Sequence, residues 1–285
     1  MKIIRKEMPR DFNLFLFGDD HEGSRLRYDD GWEQLVDMML SKYEDLPANR
    51  NFGVDHGDII EGIMIDDKRY DGITTKEGAV VEEMDMAKLH RQKIKKKLIC
   101  IMEGNHPEKH WRFGRITEKI CDDLEVPYGT WQTIIKYRCK GKILFNHYAA
   151  HGFGSINSKI DDPRDRENSM LRTLRRTMQR KTGNCFLNSM GHTHKLLICS
   201  PRHELYITDG VGNKTQHHYT KADPKADFIP FSERWYINTG SFYRTFGDGF
   251  SGYAERAGYD PIELGCAIAL VRGGELINVK KIIFD

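Results

Sequence analysis

No stretch of the chain is long and apolar enough to form a membrane span, which argues against an integral membrane protein. The N-terminal MKIIRKEMPR is charged and has no apolar stretch of signal-peptide type behind it, so export by that route is not expected. Cysteine is sparse. Cys100, Cys121, Cys139, Cys185, Cys199 and Cys266 stand singly, with no C-x-x-C pair for zinc or redox work. That usage fits reduced thiols and an expected cytoplasmic location. Net charge is nearly absent: 44 Lys and Arg face 42 Asp and Glu, giving +2. Such balance argues against a broadly basic nucleic-acid coat protein but leaves room for a local basic groove. Repeats, low-complexity tracts and Pro/Gly/Ser linkers are also missing, so the expected organisation is a single domain over residues 1–285.

The 285 residues, 39% hydrophobic and 30% charged, suffice for a sizeable core. Short apolar runs recur, and each ends in a polar cluster. Asn13 to Phe17 ends at Gly18-Asp19, Asn51 to Asp55 at His56-Gly57-Asp58, and Lys97 to Met102 at Gly104-Asn105-His106. Ile143 to Ala150 ends at His151-Gly152, and Cys185 to Met190 at Gly191-His192. Continuous runs of this kind suit central strands. Helical spacing lies between them: Trp32, Leu35, Val36, Met39 and Leu40 make one face, Met84, Met86 and Leu89 a second, and Leu171, Leu174 and Met178 a third. Strand, crossover helix, strand predicts an α/β fold. After residue 195 strands dominate, which predicts a second, mostly antiparallel sheet packed on the first. Two charged or irregular stretches, 62–78 and 210–232, read as loop insertions.

The polar clusters carry the chemistry. They offer carboxylates, an amide oxygen and imidazoles but no thiolate, a donor set suited to Mn, Fe or Zn. In an extended segment residues two apart face one side, so Asp19 with His21, and His192 with His194, can each reach one ion. In order, the clusters read D-x-H, G-D, G-N-H, H-G and G-H-x-H. This order resembles the calcineurin-like metallophosphoesterases, as do Ile59-Ile60-Glu61 and Asn238-Thr239-Gly240-Ser241. The resemblance implies a four-layer α/β/β/α sandwich of two mixed sheets flanked by helices. It also implies two divalent ions, Mn2+ first, with Fe, Zn or Ni as alternatives. Asp19, His21 and His194 would hold the first ion, and Asn105, His151 and His192 the second. Asp58 would bridge them, and His106 would act as the acid over the scissile phosphate. His147 lies four residues before His151 on the same run and is the other candidate there; His151 is favoured by its place at the strand end. Pro107 stands where the family has an acidic residue, so the partner of His106 is Glu108 or a residue elsewhere. Asp20 is read as structural.

The substrate is less legible. Arg172, Arg176 and Arg180 form a helical stripe that could follow a phosphate backbone. Arg112, Tyr243 and Arg244 put aromatic and basic groups beside the metal clusters. The basic run Arg91 to Lys97 reads as a solvated helix end. The expected activity is hydrolysis of a phosphate diester, with a nucleotide or nucleic acid as the partner and no membrane. Phosphomonoester hydrolysis is the alternative.

Overall fold

The chain pays out strands wherever apolar residues run unbroken, because only a strand buried on both faces can hide them all. The computed structural model describes residues 1–76, 80–212 and 214–284. In chain order the elements are β1 (Lys2–Glu7), β2 (Phe12–Phe17), α1 (Asp29–Leu40), β3 (Asn51–Asp55), α2 (Val80–Gln92), β4 (Leu98–Ile101), α3 (Asn105–Glu108), α4 (Ile116–Leu124), β5 (Gln132–Cys139), β6 (Lys142–Ala150), α5 (Pro163–Met178), β7 (Leu187–Met190), β8 (Leu196–Cys199), β9 (Leu205–Asp209), β10 (Thr215–Tyr219), β11 (Trp235–Thr239), α6 (Tyr253–Arg256), β12 (Gly265–Arg272) and β13 (Glu275–Ile283). Among the described residues, no helix is long and apolar enough to cross a membrane.

Two mixed sheets organise these elements. One has the order β13-β12-β2-β3-β4 and the other β1-β5-β6-β7-β11-β8. Alternation along β2 shows how they stack. Phe12, Leu14 and Leu16 face a core shared with Ile135, Tyr137, Phe145 and Ala149 of the second sheet. Phe15 and Phe17 face outward onto Trp32, Leu35, Val36 and Met39 of α1, in a cluster that also holds Ala87 of α2 and Ile120 of α4. On the far face of the second sheet, Tyr148 and Tyr236 pack on Leu174 and Met178 of α5. The order is helix, sheet, sheet, helix, an α/β arrangement compatible with the expected sandwich.

Several expectations need correction. Apart from a two-stranded hairpin of β9 and β10, the strands after residue 195 do not form a sheet of their own. β8 and β11 complete the sheet that contains β6 and β7, while β12 and β13 extend the sheet of β2. Pairing partners distant in sequence decide this, and a local pattern does not carry them. The first residues, which no apolar run marks as a strand, form β1, which pairs in parallel with β5 at a sheet edge. The 210–232 stretch is not all loop, since its Thr215–Tyr219 pairs with Leu205–Asp209 as a hairpin. Within 62–78, residues 62–76 run without helix and tie back to the chain through Lys76 N–H on the Gly23 carbonyl, at 2.6 Å. Residues 77 and 78 lie outside the described residues.

The largest correction concerns α2. Met86 and Leu89, expected on its buried face, are 37% and 59% exposed. The face that is buried carries Glu83, Ala87 and Arg91. Arg91 is not at a solvated helix end. It is fully buried, donates to Asp20 at 2.6 Å and to Asp55 at 2.8 Å, and lies over the Trp32 ring at 4.8 Å. Asp20 also lies 3.5 Å from Arg27, so its structural role stands. A polar face is buried here because it neutralises two buried carboxylates, which apolar periodicity cannot register.

Arg91→Ala would strand Asp20 and Asp55 in the interior. Urea denaturation is expected to show a loss of about 3–5 kcal/mol, the usual cost of breaking a buried pair. Arg91→Lys should recover only part of it, because one ammonium lacks the fork that reaches both carboxylates.

Candidate metal centre

The segments after β2, β3 and β4 meet those after β6 and β7 at one edge of the two sheets. β2, β3 and β4 are parallel neighbours, as are β6 and β7, so each set of connections leaves from the same strand ends. Asp19 and His21 follow β2, Asp58 follows β3, Asn105 and His106 follow β4, His151 follows β6, and His192 and His194 follow β7. The backbone is bent to aim them. Asp19, His21, Asp58, His192 and His194 have φ of 54°, 50°, 49°, 69° and 56°. For non-glycine residues that left-handed region costs of order 1–3 kcal/mol each and collects at functional sites. Glycines let the carboxylates pass closely: a Cβ on Gly104 would collide with Asp58, and one on Gly191 with Asp19.

The side chains form two donor groups. Asp19, His21 and His194 have ligand atoms within 4.8 Å of one another, and so do Asp58, His151 and His192. Asn105 joins the second group, with its Oδ1 2.9 Å from His151 Nε2 and 2.7 Å from His192 Nδ1. Asp58 stands beside both groups. Its Oδ2 is 3.3 Å from His151 Nε2, and its charge acts on Asp19 and His21.

Hydrogen bonding fixes which imidazole atoms face inward. His151 donates Nδ1–H to the His56 carbonyl at 2.8 Å, and His21 donates Nδ1–H to Glu61 at 2.7 Å. Each Nε2 is then a lone pair. That of His151 points at the Asn105 and Asp58 oxygens, and that of His21 at His194 Nε2, 3.2 Å away. Facing lone pairs repel unless positive charge lies between them, as a proton or a metal ion. Without a metal the protein must hold protons there. Burial works to lower the His21 and His151 pKa values, but Glu61 and Asp58 respectively outweigh it and push each up to about 9. The donor chemistry therefore fits hard or borderline divalent ions.

A third group, His21, Glu61 and His106, adjoins the first. His106 donates Nδ1–H to the Glu61 carbonyl, and its backbone N–H donates to Asp58 Oδ1 at 2.9 Å. Glu61, and not Glu108, is thus the partner of His106. Sequence reasoning left Glu61 without a role; its signal was the Ile59-Ile60-Glu61 segment that follows Asp58. Further residues steady the donors. The His192 backbone N–H donates to Asp19 at 2.9 Å, and Ser241 Oγ donates to the Asp19 carbonyl at 2.9 Å. Asn238 donates to Thr193, between His192 and His194.

His147 is not among the donors. It is buried beneath them in a chain of side chains whose proton order can be read off. His56 Nδ1 faces the Phe17 and Val54 carbonyls, both at 3.2 Å, and so carries the proton. Its Nε2 then accepts from Ser189 Oγ at 2.6 Å. Ser189 in turn accepts from His147 Nε2–H at 2.6 Å, and His147 Nδ1 accepts from the Tyr137 hydroxyl at 3.0 Å.

The expected substrate contacts divide. Tyr243 is at the centre, its ring 4.9 Å from that of His21 and 5.7 Å from that of His194. Arg244 is engaged by Asp248 at 3.1 Å and the Arg25 carbonyl at 3.2 Å. Arg112 lies exposed over the Phe113 ring, at 4.6 Å. Arg172 and Arg176 are exposed on α5, the outer helix. Because β6 and β7 run parallel, α5 descends about 24 Å from the His151 end toward the opposite end. The stripe is not brought into the cluster. A cation that sequence reasoning missed is nearer: Lys109 lies within electrostatic reach of Asp58 and Glu61, and burial lowers its pKa.

No family model matches the chain, and no curated protein matches it. Among solved structures the chain is similar to the Haemophilus influenzae NAD nucleotidase NadN, at 8% identity and a TM-score of 0.39. That alignment covers 96% of this chain and 50% of the nucleotidase, so the chain spans half of its length.

Burial holds His147 well below the usual histidine pKa. Its folded-state value is below the unfolded one, so its contribution to stability is complete above about pH 6.5 and is lost as pH falls. Nitrogen-15 NMR is expected to find His147 still as the neutral Nε2–H tautomer at about pH 6.5, where an unperturbed histidine is half protonated; titration there would contradict the hydrogen-bond order.

Proposed function

We propose that the protein is a metal-dependent phosphoesterase of the calcineurin-like kind, acting on a phosphodiester in a nucleotide or nucleic acid. One observation carries the reading: two donor groups of carboxylate, imidazole and amide oxygen lie side by side with their lone pairs facing, next to a histidine that ligates neither. Asp19, His21 and His194 would hold one divalent ion, Asn105, His151 and His192 the other, and Asp58 both, with Mn2+ the first choice. Such ions supply Lewis-acid stabilisation of phosphoryl oxygens and an acidified water.

The chain's own residues do the rest. Glu61 orients two imidazoles at once, His21 through its carboxylate and His106 through its carbonyl. With Nδ1–H committed to that carbonyl, His106 presents Nε2 as its working atom. Burial pushes its pKa down to about 4, so the resting imidazole is neutral. A phosphate anion bound beside it favours the protonated form, which can then give its proton to the leaving oxygen. Lys109 and Tyr243 flank this position and would contact the substrate. The exposed α5 arginines give the nucleic-acid part of this reading no added support.

Elemental analysis of the manganese-loaded protein is expected to give two ions per chain. His106→Ala should keep them while kcat on a chromogenic diester falls by about 10²–10⁴. Asp58→Asn should cost both ions; loss of only one would remove the bridging role. Faster turnover of a monoester, with no cleavage of any diester, would make the protein a phosphomonoesterase.

A further inference from the structure

Beside the centre lies a cavity of about 310 Å3, lined by Trp111, Tyr128, Trp131, Gln132, Glu108 and Arg115 among others. Its size sits at the lower end of small-molecule sites, which run roughly 300–1,000 Å3. It shares a wall with the donor cluster. The Trp131 ring stands edge-on to the His151 imidazole with centroids 5.3 Å apart, and the Trp131 carbonyl accepts the His151 backbone N–H at 3.0 Å. Glu108 ends the short helix that begins at Asn105 and His106. Whatever occupies the cavity is therefore next to the group held at the centre.

The placing of these aromatics is costly. Thr130, just before Trp131, has φ of 55°, a conformation a β-branched residue keeps only when its surroundings force it. The Glu103 backbone N–H on the Thr130 carbonyl, at 3.1 Å, helps to hold it. Trp111 is left 40% exposed, with the Arg115 guanidinium over its ring at 4.9 Å.

The polar groups of the wall differ in what they can offer. Glu103 is spent, accepting from the Tyr128 hydroxyl at 2.7 Å and from Thr117 Oγ1 at 2.6 Å. Glu108 has no ion pair or side-chain hydrogen bond among the described residues, so its carboxylate remains an acceptor. The Gln132 carboxamide oxygen accepts from the Tyr148 hydroxyl at 2.9 Å, which leaves its NH2 as the donor. Indole surface for stacking, a free carboxylate acceptor and a carboxamide donor together match a flat nitrogen heterocycle bearing N–H groups. An aliphatic alcohol would use neither the rings nor both edge groups.

We propose that this cavity binds the nucleobase of the substrate and so selects nucleotide esters over other phosphate esters. The position of the phosphate rests on the phosphoesterase reading above; the binding of the base does not. The test separates the two. Calorimetry with adenosine and guanosine, which carry no phosphate, is expected to show saturable binding to the protein, with free ribose showing none. Trp111→Ala should weaken nucleoside binding about five- to a hundredfold, the range that alanine substitution of a stacking aromatic gives, and Trp111→Phe should largely restore it. With Mn2+, Trp111→Ala should lower kcat/KM for a nucleotide diester by the same factor and leave a glycerol diester within about twofold. Equal losses on both diesters, equal binding of ribose, or no nucleoside binding would each overturn the proposal. Nucleoside binding without hydrolysis of any ester would uphold the subsite and end the phosphoesterase reading. Hydrolysis of both diesters without nucleoside binding would do the reverse.

Discussion

The centre depends on one buried cation. Arg91 reaches from α2 to Asp20, in the turn after β2, and to Asp55, the last residue of β3. Asp20 stands between Asp19 and His21, and Asp55 lies three residues before Asp58. The guanidinium therefore ties together the two segments that supply the carboxylates of the donor cluster. One guanidinium serves two buried carboxylates, so taking it away leaves both without the counter-charge they share. Trp32 covers the ion pair from α1 and makes cation–π contact with both Arg91 and Arg27.

With that layer fixed, the donors above it have little freedom. Left-handed backbone at five of them, carboxylates passed close by Gly104 and Gly191, and imidazoles locked by the His56 carbonyl and by Glu61 combine to face lone pair against lone pair. With both imidazoles deprotonated the arrangement is unfavourable, and a proton or a cation between the lone pairs relieves it, so these groups could hold metal ions. The sandwich supports this from both sides, because each sheet contributes donors and neither contributes a full set.

Much of this was legible along the chain. Apolar runs placed the central strands to within a residue or two, since a strand buried on both faces leaves no polar positions to confuse its ends. Polar clusters at those ends marked the donors, because few residue types can ligate a cation. The failures have physical causes too. α2 was read by its methionines and leucine, yet its buried face is Glu83, Ala87 and Arg91, and hydrophobic spacing is blind to a face buried by charge pairing. The α5 arginines keep helical spacing, but spacing does not say toward what a face points; their helix runs down the outside of the second sheet. Glu61 serves His106 through its main-chain carbonyl, a contact that side-chain identity does not reveal.

The sequence by itself determined the α/β alternation, the residue types available as donors and the strand ends at which they sit. Those follow from short-range rules: side-chain polarity, strand and helix period, and the reach of residues two apart. Tertiary structure alone decided which strands pair, that β12 and β13 join β2 and not β11, that His151 and not His147 reaches the donors, and that Arg91 is interior. It also set Trp111 and Trp131 around one cavity beside His151. Each of these is a contact between segments far apart in the chain, fixed by the closing of two sheets on a common core, and local pattern carries no term for it.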